Sequence, residues 1–473
     1  MLMDFYELTM ANGYFSNGMK DEIVYFDLFF RKNPDGAGFS IVAGLEQVIQ
    51  YIKELRFCDE DIEFLRSKKL FTEDFLQFLK EFKFSGDIYA IPEGTPVFPN
   101  EPLITVRAKT IDAQIIETMM LLTINHQSLI ATKANRVVRA AKGKPIMEFG
   151  ARRSQGYDGA IYGARAAYIG GVMGTATTLA DEAFGVPALG TMAHSWVQMF
   201  ESEYEAFKAY ALCYPDNCNL LIDTYNVLKS GLPNAIRISR EVLEPMGKRL
   251  KGVRIDSGDI AYLSKKCRKM LNEAGLHDCA IVASNSLDEF IISDLLDQGA
   301  KVDSFGVGER LITAKSEPVF GCVYKLVAVE KDGKIIPKIK ISENEEKITN
   351  PGYKKVWRLY DRKTKSPIAD VITLAHEVID DSKPYTIFDE IHTWKKKKVT
   401  DFYAKNLQVP VFIKGECVYE SPSLNEIREY CKKRVDNLWG EVKRFTNPHT
   451  YYVDLSKELW DCKQELISQH SFR

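Results

Sequence analysis

The chain has 473 residues, of which 45% are hydrophobic and 27% charged, and its formal net charge is −2. These values are typical of a globular protein, and the length predicts two or three domains. The near-neutral charge gives no electrostatic reason to expect nucleic acid or an anionic membrane as a partner.

Two further properties predict a cytoplasmic protein with reduced thiols. No apolar run reaches the roughly 20 residues needed to cross a bilayer, and the N-terminal stretch carries Asp4 and Glu7 where a signal peptide would be basic. The nine cysteines are scattered without a Cys-x-x-Cys pair. This spacing argues against a disulfide framework and against a structural zinc site.

Residues 1–112 predict an N-terminal α/β domain. Residues 3–15 have the pattern of an amphipathic helix, residues 23–30 are β-prone, and residues 44–55 predict a second helix. Residues 88–107 contain short β-prone pieces separated by prolines. That pattern is typical of short strands and tight turns.

A repeated strand–helix pattern follows over residues 113–345. It opens with a helical stretch at 113–138, and most of its short apolar strands are separated by enough chain for one helix. The strands are 146–150, 220–224, 252–256, 280–284 and 302–306. This alternation predicts right-handed βαβ units and a parallel sheet. We expect about six or more units closing into a (β/α) barrel, with an open doubly wound sheet as the alternative.

Residues 346–473 predict a third, mainly structural region of mixed strand and helix. Residues 409–413 are β-prone, whereas 423–443 and 455–467 have helical patterns. We interpret the charge run from Lys395 to Lys398 as a solvated loop or hairpin rather than a nucleic-acid patch.

Residues 148–196 predict an anion-handling active site. The segment opens with EFGARRSQG and closes with GTMAHSW, with further glycines between. Glycine lets backbone approach a ligand closely, and paired arginines such as Arg152 and Arg153 suit carboxylate or phosphate. His194 lies in an otherwise apolar stretch, so it is either a core residue or a base or phosphoryl acceptor.

Residues 254–259 (RIDSGD) follow another predicted strand. Arg254 could meet an anionic substrate, and Asp256 and Asp259 could hold a sugar diol or Mg²⁺. The alternative is an ordinary turn in which Asp259 caps the next helix.

The next two strand ends suit phosphate. Ser284 and Asn285 precede a helix N-terminus, which is a natural phosphate seat, although Ser286 and Glu289 also have the spacing of a capping box. The Gly-Val-Gly sequence at 306–308 could form a phosphate nest, but the carboxylate that follows at position 309 is unexpected beside phosphate. The chain has no P-loop motif.

Seven motifs, in this order, resemble nicotinate phosphoribosyltransferases. They are DFYELTM at 4–10, FFR at 29–31, and the sequences at 148–155, 190–196, 254–259, 284–285 and 306–308. The resemblance extends from residue 4 to the C-terminal region. It implies the type II phosphoribosyltransferase fold, in which an N-terminal α/β domain and an irregular (β/α) barrel are followed by a mixed region. It also implies a homodimer with shared active sites.

The resemblance implies an enzyme that joins nicotinate to 5-phosphoribosyl 1-diphosphate, giving nicotinate mononucleotide and diphosphate for NAD salvage. ATP hydrolysis would be coupled to turnover through a phosphohistidine at His194. Mg²⁺ would bind largely through substrate oxygens, and its protein ligands are unknown.

The resemblance also implies roles for single residues. Tyr6 of a partner subunit and Phe149 would enclose the pyridine ring. The residues implied around nicotinate and the phosphoribosyl group are Arg152, Arg153, Thr191 and Arg254, with Asp256 near the ribose and Gly306 and Gly308 at the 5-phosphate. Glu309 departs from the threonine often found at its position.

Ala176 favours nicotinate over nicotinamide. Related nicotinamide enzymes carry an aspartate at this position, which would repel the carboxylate of nicotinate. A nicotinamide or quinolinate phosphoribosyltransferase remains the nearest alternative, and a non-catalytic sugar-phosphate-binding protein is the alternative from another class.

Overall fold

Helices and strands are distributed along residues 1–470, the part of the chain that this computed structural model describes. The α-helices are α1 (Phe5–Ser16), α2 (Leu45–Glu54), α3 (Asp59–Ser67), α4 (Glu73–Lys80), α5 (Thr110–Ile115), α6 (Glu117–Ala140), α7 (Gly156–Gly170), α8 (Thr178–Phe184), α9 (His194–Gln198), α10 (Glu203–Cys213), α11 (Leu232–Ile238), α12 (Ile260–Glu273), α13 (Glu289–Asp297), α14 (Glu309–Ile312), α15 (Leu424–Asp436) and α16 (Lys457–His470). Short 3-10 or π turns lie at Pro34–Gly36, Ala151–Arg153, Val227–Gly231, Ser239–Leu243, Glu244–Met246 and Glu345–Lys347.

The strands range from two to ten residues. They are β1 (Ile23–Phe30), β2 (Ser40–Ile41), β3 (Asp87–Ala90), β4 (Pro96–Val97), β5 (Ile104–Lys109), β6 (Ile146–Glu148), β7 (Gly174–Thr175), β8 (Asn219–Leu221), β9 (Gly252–Ile255), β10 (Ala280–Asn285), β11 (Ser304–Val307), β12 (Cys322–Lys331), β13 (Lys334–Pro337), β14 (Lys354–Asp361), β15 (Pro367–Leu374), β16 (Tyr385–Phe388), β17 (Lys396–Val399), β18 (Phe402–Asn406), β19 (Val409–Ile413), β20 (Glu416–Cys417) and β21 (Val453–Leu455).

The chain divides into two units. One contains Met1–Leu129 together with the chain from Val319 onward, and the other is Ile130–Pro318. This grouping by compactness does not test the predicted domain limits at residues 112 and 345, which stay predictions. No helix among residues 1–470 is long and apolar enough to cross a bilayer.

The first unit is built on a seven-stranded sheet with the order β13-β12-β1-β5-β3-β19-β20. Strand β1 pairs antiparallel with both β5 and β12, so its aromatic and branched side chains are largely buried. A four-stranded sheet, β18-β14-β15-β21, lies in the same unit. The charge run at 395–398 falls in and next to β17, which pairs antiparallel with β16. The hairpin interpretation is therefore confirmed.

The second unit is built on a six-stranded sheet with the order β7-β6-β11-β10-β9-β8. All the neighbouring pairs are parallel, which confirms the predicted parallel sheet. The carboxyl ends of parallel strands meet at one edge of a sheet. The residues after each of these strands therefore lie along one edge.

Two local predictions need correction. The helix predicted at 113–138 is interrupted at Ile116, which ends α5 before α6 begins. The capping box predicted from Ser286 and Glu289 is wrong, because the side chain of Asp288 accepts hydrogen bonds from the first backbone N–H groups of α13. Glu289 instead turns inward, where its carboxylate lies within 3.0 Å of the buried Lys133 and Arg136 side chains.

Candidate active site

Arg254 contacts several of the predicted site residues. Its Nε donates to Ser284 Oγ at 2.9 Å, and Nη2 donates to Asp256 Oδ1 at 3.1 Å. A longer contact of 3.5 Å joins Nη1 to the carbonyl oxygen of Met192. The guanidinium carbon also lies 5.7 Å from the centroid of the Phe149 ring, within the range of a cation–π contact. One cation therefore links the ends of β6, β9 and β10 to the segment before His194.

His194 is the first residue of α9, and its imidazole is 41% exposed. This exposure excludes the buried-core interpretation. Its Nδ1 lies 3.1 Å from Thr224 Oγ1, and its Nε2 lies 4.0 Å from Asp223 Oδ1. A histidine that is open on one side and flanked by a hydroxyl and a carboxylate can act as a base or accept a group.

Asp223 holds the turn after β9. Its Oδ2 accepts from the backbone N–H of Asp256 at 2.9 Å and from Ser257 Oγ at 2.6 Å. Its side chain is only 1% exposed, and Oδ1 is buried without a hydrogen-bond partner among the described residues. An unsatisfied buried oxygen is costly, and this one faces the imidazole.

Phe149 approaches the backbone of β11 closely. A Cβ on Gly306 would lie 2.5 Å from the Phe149 ring, and a Cβ on Gly308 would lie 3.1 Å from the carbonyl oxygen of Phe149. No side chain fits beside the ring at Gly306. Glycine is required here so that β6 and β11 can place the aromatic ring at the sheet edge.

Asp259 caps a helix, which is the structural alternative that the sequence left open for this residue. Its side chain caps α12 by accepting from the backbone N–H of Tyr262 at 2.9 Å, and Gly258 has a φ of +80° in the turn before it. Asp256 is thus the carboxylate of this motif that contacts Arg254, which is consistent with the sugar-binding interpretation of Asp256 alone.

Comparisons with known proteins identify the family. The models for the N-terminal domain, the family and the C-terminal domain of nicotinate phosphoribosyltransferase (NAPRTase) match residues 1–125, 145–366 and 353–463. This chain belongs to the nicotinate phosphoribosyltransferase family. The nicotinate phosphoribosyltransferase of Bacillus subtilis is 44% identical over 98% of this chain and 94% of its own length. The Mycobacterium tuberculosis relative is 42% identical over 97% of this chain and 92% of its own length.

A solved structure agrees with the fold of the family. The crystal structure of human nicotinic acid phosphoribosyltransferase superposes with a TM-score of 0.88 at 30% identity, covering 98% of this chain and all of that one. The predicted fold class, an α/β protein with the type II phosphoribosyltransferase fold, is confirmed. So is the prediction that the chain is an enzyme of this family.

The remaining residues of the family motifs lie on two different units. Arg152 and Arg153 are exposed in the turn Ala151–Arg153, directly after Phe149. Tyr6 lies on α1 of the first unit, with 44% of its surface exposed. The hydroxyl of Thr191 is buried without a hydrogen-bond partner among the described residues, so it is free to bind a ligand.

Two features at the predicted phosphate loops were not anticipated. Glu309 pairs with Lys315 at 2.6 Å, and this hydrogen bond lowers the pKa of the Glu309 carboxyl. Its negative charge is therefore partly neutralised beside the loop. Asn285 has a φ of +125°, a strained backbone for a residue other than glycine, and its Oδ1 accepts from the next backbone N–H at 2.7 Å.

The sequence indicates Asp223 and Thr224 as candidate chemistry at a strand end, but their contacts with His194 and the contact of Thr175 with Glu148 were not predicted. Asp223 and Thr224 follow the short strand β8, so their position at a strand end was the available signal. Thr175 ends β7, and its hydroxyl donates to Glu148 at 2.6 Å. A two-residue strand leaves almost no pattern in a sequence, which is why this contact could not be predicted.

Proposed function

We propose that this enzyme transfers the phosphoribosyl group of 5-phosphoribosyl 1-diphosphate to the ring nitrogen of nicotinate, releasing diphosphate, as a step of NAD salvage. The observation that supports this most directly is the position of Arg254 between Phe149, Asp256 and Ser284. This arrangement offers an aromatic wall, a cation for a carboxylate or phosphate, and a carboxylate for a developing positive charge.

The base would lie against Phe149, with Arg254 and the Thr191 hydroxyl available to the carboxylate of nicotinate. Tyr6, on the exposed face of α1, would supply the second aromatic wall from the partner subunit of a homodimer. Ala176 places no charge at its position, so a carboxylate is not repelled there.

The transfer itself needs positioning more than a strong base. Nicotinate attacks C1 of the sugar through its own ring nitrogen, so the C1–O bond to diphosphate breaks through an oxocarbenium-like state. Asp256 would stabilise that positive charge and bind the ribose hydroxyls. Arg152 and Arg153 would bind phosphate oxygens, while Ser284, Asn285, Gly306 and Gly308 form the seat of the 5-phosphate.

His194 would couple this reaction to ATP. A carboxylate beside Nε2 favours a proton on that nitrogen, which leaves the Nδ1 lone pair as the nucleophile. Attack by Nδ1 on the γ-phosphorus would break its bond to the bridging oxygen and release ADP. The phosphoryl group would add about −1.5 to −2 charges next to Thr224 and change how tightly the substrates bind.

Mg²⁺ would be held mainly by the substrates. No group of three or more His, Cys, Asp or Glu side chains in residues 1–470 is placed to hold a metal ion. Asp256 could add one carboxylate oxygen, which is consistent with the reluctance of Mg²⁺ to lose its waters. The bound cation would neutralise charge on the departing diphosphate. We also propose the cytoplasm as the location of the enzyme.

The decisive experiment measures diphosphate release from 5-phosphoribosyl 1-diphosphate and Mg²⁺ with nicotinate, nicotinamide or quinolinate, each with and without ATP. We expect turnover with nicotinate and stimulation by ATP. Turnover with nicotinamide or quinolinate instead would favour those alternatives. No turnover with any base would favour a non-catalytic sugar-phosphate-binding protein.

A further inference from the structure

Glu148 is a buried carboxyl group that contacts two neighbouring loops of the site. It ends β6, is fully buried, and has no ion-pair partner among the described residues. Its Oε1 accepts from the backbone N–H of Gly150, directly after Phe149. Its Oε2 accepts from Thr175 Oγ1 at 2.6 Å. The carboxylate therefore bridges the turn that carries Phe149 and the end of β7.

The hydroxyl of Thr175 bonds to both Glu148 and the backbone of Thr177. It accepts from the backbone N–H of Thr177 at 3.0 Å while donating to Glu148. The backbone N–H of Ala176, between them, donates to the carbonyl oxygen of Glu148 at 2.8 Å. The backbone of Ala176 is therefore fixed by its own hydrogen bond to Glu148 and by the hydrogen bonds of Thr175 with Glu148 and Thr177.

A third segment is joined through the backbone of Thr175. Its N–H donates to the carbonyl of Pro187 at 2.9 Å, and its carbonyl accepts from Leu189 at 2.7 Å. Leu189 directly precedes the segment that carries Thr191 and His194. The Glu148–Thr175 hydrogen bond is therefore the point at which the three segments lining the base position meet.

We propose that Glu148, acting through Thr175, is a positioning residue that sets the selectivity for the pyridine base. It fixes the Phe149 turn, the Ala176 position and the Thr191 segment relative to one another. This inference rests on the proposed function, which assigns those three positions to nicotinate.

The two hydrogen bonds explain how the Glu148 carboxyl group is accommodated in a buried position. Burial raises the pKa of the Glu148 carboxyl, whereas the hydrogen bonds from Thr175 and Gly150 lower it. A buried acceptor that meets two donors is poorly replaced by an apolar side chain, because both donors would then be left unsatisfied. Selectivity between a carboxylate and an amide depends on sub-ångström placement of such neighbours.

The test compares Thr175→Val with Thr175→Ser. Valine keeps the shape of threonine but removes both hydroxyl bonds, whereas serine keeps them. We expect Thr175→Val to raise the KM for nicotinate by about tenfold or more and to lower the preference for nicotinate over nicotinamide by a similar factor. The KM for 5-phosphoribosyl 1-diphosphate and the phosphorylation of His194 by ATP should change by less than the KM for nicotinate, since Arg152, Arg153 and His194 lie farther along the chain from the Glu148–Thr175 hydrogen bond. Thr175→Ser should resemble the wild type.

Glu148→Gln provides a second variant if Thr175→Val does not fold. Glutamine fits the space, but its amide nitrogen cannot accept, so the Thr175 hydroxyl loses its acceptor and a selective loss of the same kind, smaller in size, is expected. The exposed Thr400→Val is the control for a general effect of the substitution.

Equal loss for every substrate, or an unchanged base preference in both variants, would overturn the proposal. Failure of the proposed function is recognised separately, because the wild-type enzyme would then not use nicotinate at all.

Discussion

At the scale of single residues, Asp223 is the group whose removal should affect His194 most selectively. Its Oδ1 is buried, lacks a hydrogen-bond partner among the described residues and lies 4.0 Å from Nε2 of the imidazole. Asp223→Asn removes the negative charge that favours a proton on Nε2. We expect phosphorylation of His194 from ATP to fall about 10- to 100-fold, the range found when the hydrogen-bond partner of a metal-binding histidine is changed.

The measurement for Asp223→Asn is incorporation of labelled γ-phosphate, followed alongside transfer to nicotinate without ATP. The ATP-independent transfer should persist, because the aspartate does not contact the base or the sugar in the proposed site. Asp278→Asn, at an exposed ion pair with Arg249, is the matched control. Normal phosphorylation of the Asp223→Asn enzyme would contradict the role assigned to the carboxylate.

Glu7 makes the first unit sensitive to pH. Its carboxyl group is fully buried; Oε1 accepts from the backbone N–H of Thr118 at 3.0 Å and also from the Thr118 hydroxyl, while Oε2 lacks a hydrogen-bond partner among the described residues. Burial and, to a smaller extent, the nearby charges of Glu117 and Asp4 raise the pKa of Glu7 to about 7, against the lowering effect of the Thr118 hydrogen bonds. The protonated carboxyl is thus favoured in the folded state.

The raised pKa of Glu7 makes the free energy of unfolding depend on pH. A pKa that is higher in the folded state stabilises the protein below the unfolded value, near 4.5, and this stabilisation is lost as the pH rises to about 7. We expect Glu7→Gln, which is always neutral, to remove on the order of 2 kcal/mol of this pH dependence.

The measurement is the free energy of unfolding by denaturant between pH 4.5 and 8. It compares the wild type, Glu7→Gln and the exposed control Glu81→Gln. Some slope should remain in every variant, because burial also raises the pKa of Asp454 to about 7. Identical slopes in the wild type and Glu7→Gln would show that Glu7 ionises without penalty in the folded state.

At the scale of elements, the close contact between β6 and β11 fixes where Phe149 can lie. A methyl group at position 306 would meet the Phe149 ring at 2.5 Å, so the ring or the strand must move. Overpacking of this kind typically costs about 1–3 kcal/mol. If that cost falls on the base site, we expect Gly306→Ala to raise the KM for nicotinate about fivefold or more, since about 1.4 kcal/mol corresponds to a factor of ten.

Steady-state kinetics of Gly306→Ala measure nicotinate binding, and thermal unfolding measures overall stability. Together they separate a change at the base site from a general loss of stability. Gly440→Ala is the control, because its added methyl group would have nothing within 4 Å. If Gly306→Ala bound nicotinate normally, Phe149 would not be a wall of the base site.

At the scale of the whole molecule, the elements that could be predicted are those with a local pattern. Strands β1 and β19 have the limits that their β-prone runs indicate, and the ends of β9 and β10 carry the site residues expected there. The pairing of β1 with β12 and of β3 with β19 joins residues about 300 positions apart, and such pairings leave no local mark.

The grouping of the candidate residues was predictable where a charged or glycine residue lies near the carboxyl end of a strand, as at Arg254 and Gly306. It was not predictable where function depends on what a side chain faces. Nothing in the sequence shows that Asp223 has one oxygen turned toward His194, or that Glu289 pairs with buried cations rather than capping a helix. These are outcomes of tertiary packing that override local propensity.

Two copies of the chain that share their active sites should complement each other when each carries a different substitution. Tyr6 lies on α1 next to the exposed Phe5, on the unit that does not contain Arg254. In a two-fold symmetric dimer with shared sites, a Tyr6→Ala chain paired with an Arg254→Ala chain would form one site that carries both substitutions and one that carries neither. Each variant alone should be nearly inactive.

Co-expression of the two variants with different affinity tags gives the measurement. Random pairing should restore about a quarter of the wild-type activity, because about half of the dimers are mixed and one of their two sites is intact. Dimers isolated through both tags in turn should then reach about half. If the mixed dimers remain as inactive as the separate variants, each active site is completed within one chain, and Tyr6 must act in its own subunit.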